Sequence, residues 1–271
     1  MCYDLKEKNN NGSEPNGARN YTPQKKNDEP RILAKCSTQE TRHKMSMQLP
    51  SVETIRERIS KTKQPEAKYC LMSAYLFCAR ISEVIGQTCP SDMTKTTARG
   101  PTPNEVTTDT FELGPIKEEV AVWTIKTAKR KGKERLIALP LNPEYEPYTK
   151  ELLDYYQSFS KNEHVFPFTQ QKATSYSRKV FSELTYPIDA YKIYANGVVI
   201  KETIDHNKPF RTHALRHLRA TELLSKYQFT GIDLSVYGGW TLRSMVGVGS
   251  SMSRYTHLRW DHYFPKLLKR R

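Results

Sequence analysis

The stretch HALRHLRATELL, residues 213–224, places His213, Arg216 and His217 within five positions of a segment that otherwise reads as a buried leucine helix. At about 100° per residue the three share roughly a 100° arc, while Ala214, Leu215 and Leu218 point the other way. Such a helix can bury its leucines and still present cationic and hydrogen-bonding groups in its first turn. Free N–H groups and the helix dipole favour an anion at that end. A basic cluster there is electrostatically awkward unless an anion lies beside it, and a phosphate would resolve the conflict. His213 and His217 also have the spacing of a zinc-peptidase helix. However, Ala214 stands where that chemistry needs a general-base Glu, and no third ligand suggests itself, so no metal is expected. Taken alone, the motif is weak and reads more readily as a solvated face.

Several elements must position this cluster. Thr212 reads as the N-cap of the helix. Residues 65–86 form the most apolar segment, with Leu71, Ala74, Tyr75 and Cys78 at helical spacing and Gly86 as a stop; one charge, Arg80, interrupts its apolar part. Ser51 followed by Glu53 opens an amphipathic helix. Residues 119–139 read as two strands, EVAVWTI and RLIALP, around the turn KTAKRKGKER, in which six of ten residues are basic. Residues 150–160 and TSYSRKVFSEL read as helices, and HVFPF (164–168) as a short extended piece. Asn196-Gly197 between β-branched residues marks a hairpin. Together these predict an α+β fold, mainly α-helical with a small antiparallel sheet or hairpin. Residues 6–31 contain no Val, Ile, Leu, Phe or Trp and cannot bury enough apolar area to offset their ordering entropy. Residues 1–48 are therefore expected to be a flexible polar and basic arm, and 49–271 a single catalytic-type domain with a C-terminal tail.

Composition narrows the partners. Forty-three Lys and Arg against 29 Asp and Glu give a formal charge of +14, which favours a polyanion: DNA, RNA or an anionic membrane surface. No stretch approaches 18 uninterrupted apolar residues, and MCYDLKEKNN has no apolar leader core, so neither a membrane span nor a secretory signal is expected. The five cysteines are odd in number, scattered and without a C-x-x-C pair, as in a reduced, intracellular chain lacking a cysteine metal site.

Read in order, the chemistry-bearing residues are an arginine, a lysine turn, His-x-x-Arg, a tryptophan after two glycines, and a tyrosine. This set resembles the tyrosine recombinase (phage integrase) family. FCARISEVIG resembles its first arginine box and gives Arg80. THALRHLRATELL resembles the second box and gives His213 and Arg216. GGWT resembles the later His/Trp box and gives Trp240, and SRYTHL the nucleophile segment, giving Tyr255. KERLIALPL is similar to the strand after the family's lysine turn. The resemblance spans roughly residues 50–265. Three features depart from it: Cys78-Ala79 stand where the family commonly has Gly-Leu, Trp240 and Tyr255 are 15 residues apart around a Gly-rich VGVGSS, and too few residues precede the domain for the usual DNA-clamping bundle.

The resemblance implies the tyrosine recombinase catalytic-domain fold and a site-specific recombinase or integrase of a mobile element. It would cleave and rejoin DNA through a 3′-phosphotyrosyl link, without metal or other cofactor. Tyr255 would attack the phosphate, with Tyr263 and Tyr237 as alternative nucleophiles. Arg80 and Arg216 would fork onto the non-bridging oxygens, whose charge grows in the transition state. His213 would orient or deprotonate the tyrosine, and Trp240 would donate its indole N–H to a phosphate oxygen. Lys126 is the favoured proton donor to the leaving oxygen, with Lys129 and Lys131 as alternatives. Lys129, Arg130, Lys131 and Lys133 would contact DNA phosphates. Glu83 and His217 would be supports. The partners implied are double-stranded DNA and three further copies of the chain, as a homo-tetramer on paired sites, in the cytoplasm at the nucleoid. HYFPKLLKRR would dock on a neighbouring subunit. Two other classes fit the same residues: a DNA-binding module that does not cleave, and a type IB topoisomerase-like enzyme. A basic RNA-binding protein is more distant, since no RNP-like aromatic motif is present.

Overall fold

A computed structural model describes residues 40–89, 92–98, 100–127, 134–194, 199–240 and 259–268. The fold is α+β, with eight α-helices and antiparallel sheets among the described residues. Its centre is helix α2 (Pro65–Leu76), with Pro65 in the first turn, where a missing N–H costs nothing. Leu71, Met72, Ala74, Tyr75 and Leu76 are all fully buried, because α2 is covered on every side: by α1 (Val52–Ser60), α3 (Ile81–Ile85), α4 (Thr149–Gln157), α5 (Gln170–Val180) and α6 (Thr212–Ser225). Ser51 caps α1 as expected, its hydroxyl accepting from Thr54 N at 3.1 Å.

The apolar run 65–86 does not continue as one helix. It breaks after Leu76 in a Schellman motif: Ala79 N donates to Ala74 O (3.1 Å) and Cys78 N to Tyr75 O (3.0 Å), with Cys78 in the left-handed region at φ 48°. Glycine is the residue this position prefers, and it is where the recombinase resemblance expects one. The bend makes Arg80 the N-cap of the short helix α3, which ends at Gly86 with φ 87°.

The expected charged hairpin forms as β5 (Ile116–Lys126) and β6 (Glu134–Pro140), paired antiparallel with Trp123 opposite Ile137 and Lys126 opposite Glu134. A third strand, β4 (Val106–Leu113), completes this sheet. Trp123 sits at its heart, 5.3 Å from the Phe77 ring and 6.2 Å from Tyr156. Two short strands after Gly86, β2 (Gln87–Cys89) and β3 (Asp92–Ala98), form a separate ribbon. Strands β7 (Thr185–Tyr194) and β8 (Val199–Pro209) flank Asn196-Gly197, although that turn itself lies outside the described residues.

Four expectations are revised. Strand β1 (Glu40–Met47) falls inside the segment assigned to a flexible arm; it pairs antiparallel with β7, whose edge supplies backbone partners that local composition does not reveal. The rest of that arm, residues 1–39, lies outside the described residues. HVFPF forms no strand: Val165 and Phe166 are buried as loop side chains that anchor the segment between α4 and α5. Helix α5 starts at Gln170 because Thr169 caps it. Finally, residues 260–268 of the C-terminal segment pack on their own chain. Trp260, Tyr263, Phe264 and Leu267 are buried in their own chain, where the 3₁₀ turn Trp260–His262 and helix α8 (Phe264–Leu267) pack on β6. Phe264 lies 4.8 Å from Phe111, and Lys266 Nζ is 2.6 Å from Asp233. No described helix is long and apolar enough to cross a membrane.

Candidate active site

The break after α2 and the first turns of α6 meet around one carboxylate. Glu83, on α3, is 1% exposed. Its Oε2 accepts from the Arg80 backbone N–H at 3.1 Å and its Oε1 from Arg80 Nη1 at 2.8 Å. Arg135 Nη2 reaches Oε2 at 3.3 Å and Arg216 Nη1 reaches the same atom at 3.4 Å. Three guanidiniums thus converge on one carboxylate, and among the described residues no other carboxylate is within ion-pair reach of them. Arg135 and Arg216 are buried, with side chains 4% and 3% exposed, whereas Arg80 is 29% exposed and forms the open side of the cluster.

Burial and the neighbouring charges act together on these groups. Burial would raise the Glu83 carboxyl, but Arg135 and Arg216 outweigh it and hold the group below its usual range. Burial lowers the Arg216 guanidinium to about 10; Cys78 and Glu83 oppose the shift, and the positive charges of Arg135 and Arg80 add to it. Arg216 remains protonated at neutral pH, but its charge is under-compensated.

A glycine corner closes the cluster. Helix α7 (Gly231–Gly238) is capped at its start by Thr230 and ends at Gly239 with φ 65°. Arg216 Nη2 donates to the Gly238 carbonyl at 2.9 Å, and the Arg216 guanidinium lies 4.5 Å from the centre of the Trp240 ring. A Cβ on Gly238 would stand 2.3 Å from that ring, and one on Gly239 would stand 2.9 Å from Arg135 Cδ and 3.2 Å from Thr127 Cγ2. Both positions therefore require glycine, and the corner is pressed against β6 and the end of β5.

The expected residues distribute as follows. Arg80, Arg216 and Trp240 share the cluster. His213 is exposed, one turn before Arg216 on α6, and its ring lies 4.6 Å from His217 in an edge-on contact. Burial, His213 and Arg216 together lower His217. The cap of α6 is Arg211, in extended conformation, and not Thr212, which is the first helical residue; no side chain caps this end. Lys126 ends β5 beside Thr127 at the glycine corner, with Nζ 2.6 Å from Glu105 Oε1. Tyr255, Lys129, Arg130, Lys131 and Lys133 lie outside the described residues.

Both alternative nucleophiles are corrected. Tyr237 and Tyr263 are fully buried. The Tyr237 hydroxyl donates to the Leu76 carbonyl, and burial pushes its pKa up to about 12. The Tyr263 hydroxyl donates to Leu136 O at 3.1 Å and accepts from Ala138 N at 2.9 Å. Their oxygens hold backbone together and face no solvent.

Arg135 was not among the expected site residues. Its signal was present in the alternation of RLIALP, where Arg135 shares the inward face with Ile137 and Leu139. A charge on the buried face of a strand asks for a partner. Among the described residues, no group of three His, Cys, Asp or Glu side chains could hold a metal ion. Comparison with protein-family models, with curated proteins and with solved structures gives no match to this chain.

Proposed function

We propose that the chain is a DNA strand transferase of the tyrosine recombinase type, with the Glu83 cluster as its phosphate site. The observation that carries the reading is the charge imbalance: three arginines on one buried carboxylate, with Trp240 over Arg216, at the exposed edge formed by Arg80. A phosphodiester supplies the missing negative charge, and its charge grows in a phosphoryl-transfer transition state, where fixed guanidiniums act most strongly. In the proposed reaction the Tyr255 oxygen bonds to phosphorus as the bond to the 5′ oxygen breaks. The tyrosine proton passes to a base such as His213, and the leaving oxygen takes a proton from a lysine of the hairpin, Lys126 or one in the turn beyond it. Attack by a 5′ hydroxyl on the phosphotyrosine reverses these transfers and reseals DNA. The formal charge of +14 suits a duplex partner.

Trapping on nicked duplex DNA tests this. After denaturation, wild-type protein is expected to run as a covalent protein–DNA adduct that Tyr255→Phe does not form. An adduct retained by that variant removes Tyr255 from the role, and absence of any adduct from a broad pool of duplex sequences overturns the cleavage reading. A second reading, a duplex-binding module without chemistry, draws on the Lys126–Glu105 contact, which ties up the favoured proton donor. Under that reading binding survives and no adduct forms.

A further inference from the structure

We infer that Arg135 is a positioning residue that holds the phosphate site in its assembled, cationic form. The inference rests on the reading of the Glu83 cluster as that site. Arg135 touches the bend after α2, the carboxylate of α3 and the glycine corner. Nη1 donates to the Phe77 carbonyl, at the bend after α2, at 3.0 Å, and also to the Tyr237 carbonyl at the end of α7. Nη2 donates to Glu83 at 3.3 Å. The aliphatic part of the side chain lies against Gly239, at the spot a Cβ would occupy. One planar fork thus joins the strand that follows the lysine turn to the segment bearing Arg80 and to the corner bearing Trp240.

The second effect is electrostatic. Arg135 and Arg216 both approach Glu83 Oε2, at 3.3 and 3.4 Å. With Arg135 present, the single negative charge is shared and Arg216 keeps positive charge for an incoming anion. Without it, Glu83 serves one guanidinium fewer and compensates Arg216 more fully. Geometry and charge can be separated because lysine keeps the charge but cannot form the fork, whereas methionine removes both. The Arg135 Nε is buried without a hydrogen-bond partner among the described residues, so the contacts to the cluster are made by the two terminal nitrogens.

The test measures covalent capture of nicked duplex by full-length wild type, Arg135→Lys and Arg135→Met, separating the rate at saturating DNA from the DNA concentration giving half that rate. Arg135→Lys is expected to slow capture at saturation by ~100-fold, the scale of a site misplaced by about an ångström, with half-saturation within about threefold of wild type. Its melting temperature should stay within a few degrees. Arg135→Met should lose rate and also bind duplex about tenfold more weakly. A lysine variant that captures DNA at the wild-type rate overturns the inference. So does one whose rate loss is matched by its loss of folded protein, since that marks a purely structural arginine. If wild-type protein forms no adduct, the proposed chemistry fails separately. The inference is then judged on uncut duplex, where equal affinity of wild type and Arg135→Met overturns it.

Discussion

Arg216 and Arg219 sit three residues apart on α6, both buried, yet they enter opposite environments. Arg219 joins Arg56 on two carboxylates: Arg219 Nη1 is 2.6 Å from Glu222 and 3.2 Å from Glu146, and Arg56 reaches Glu146 at 2.7 Å and Glu222 at 3.3 Å. The Tyr75 hydroxyl donates to Glu222 at 2.5 Å and accepts from Arg56 Nε at 3.1 Å. Burial alone would lower Arg219, but Glu222, Tyr237 and Glu146 override it and raise the group well above its usual value. Arg216 moves the other way, to about 10, because burial lowers it, Arg135 and Arg80 add to the shift, and Cys78 and Glu83 only partly oppose it. Among the described residues, two charges against two make a balanced structural network, while three against one leave a surplus of positive charge that, on the proposed function, a phosphate would meet.

Breaking the balanced side should have the largest effect. Arg219→Met leaves buried carboxylates under-compensated and is expected to lower stability by about 3–5 kcal/mol, read by urea denaturation. Arg216→Met on the unbalanced side should reduce covalent DNA capture by ~100- to 1,000-fold, the effect of removing one transition-state donor. Because it also relieves repulsion, stability should be unchanged or higher. If both variants lose stability equally, the contrast between the clusters fails.

Acid should discriminate next. Burial would raise Glu222, but Arg219 and Arg56 bring its pKa down from 4.5 to about 2. A depressed carboxyl contributes stability that is complete above its unfolded pKa and disappears as pH falls through its folded one. Wild-type stability should therefore fall between pH 4.5 and about 2, and Glu222→Gln should show a shallower fall over that window. The smallest effect belongs to Lys126, whose pair with Glu105 is partly exposed. Lys126→Met should change stability by less than about 1 kcal/mol and reduce the salt slope of duplex binding by about one charge. An unaltered slope would mean that Lys126 does not meet a phosphate.

Local signals in the sequence survived where local forces decide the structure. Ser51 as a cap and the alternation of β5 and β6 depend on local geometry, and the short motifs holding Arg80, Arg216 and Trp240 come together in one cluster. What was not legible depends on distant partners. Strand β1 draws its order from β7, and the C-terminal segment from Phe111 and Asp233. Arg219 looks like an ordinary surface cation until α6 turns it inward, and the partners of Arg135, though its inward place follows from the strand alternation, come from Phe77, Glu83 and Tyr237. The helix break at Cys78 was hidden because a non-glycine residue occupies the left-handed position, held by packing that includes its thiol's contact with Arg216 O at 3.3 Å.

The sources of the cluster also bear on when it can exist. Arg135 meets Phe77 across 58 residues and Tyr237 across 102, and Glu83 meets Arg216 across 133. Contacts that close such long loops form late, after the entropy of each loop has been met. A half-folded chain therefore holds scattered arginines and no assembled phosphate site. On the proposed function, nascent or damaged protein would be unable to nick the genome, and the power to break DNA would arrive only with the completed fold.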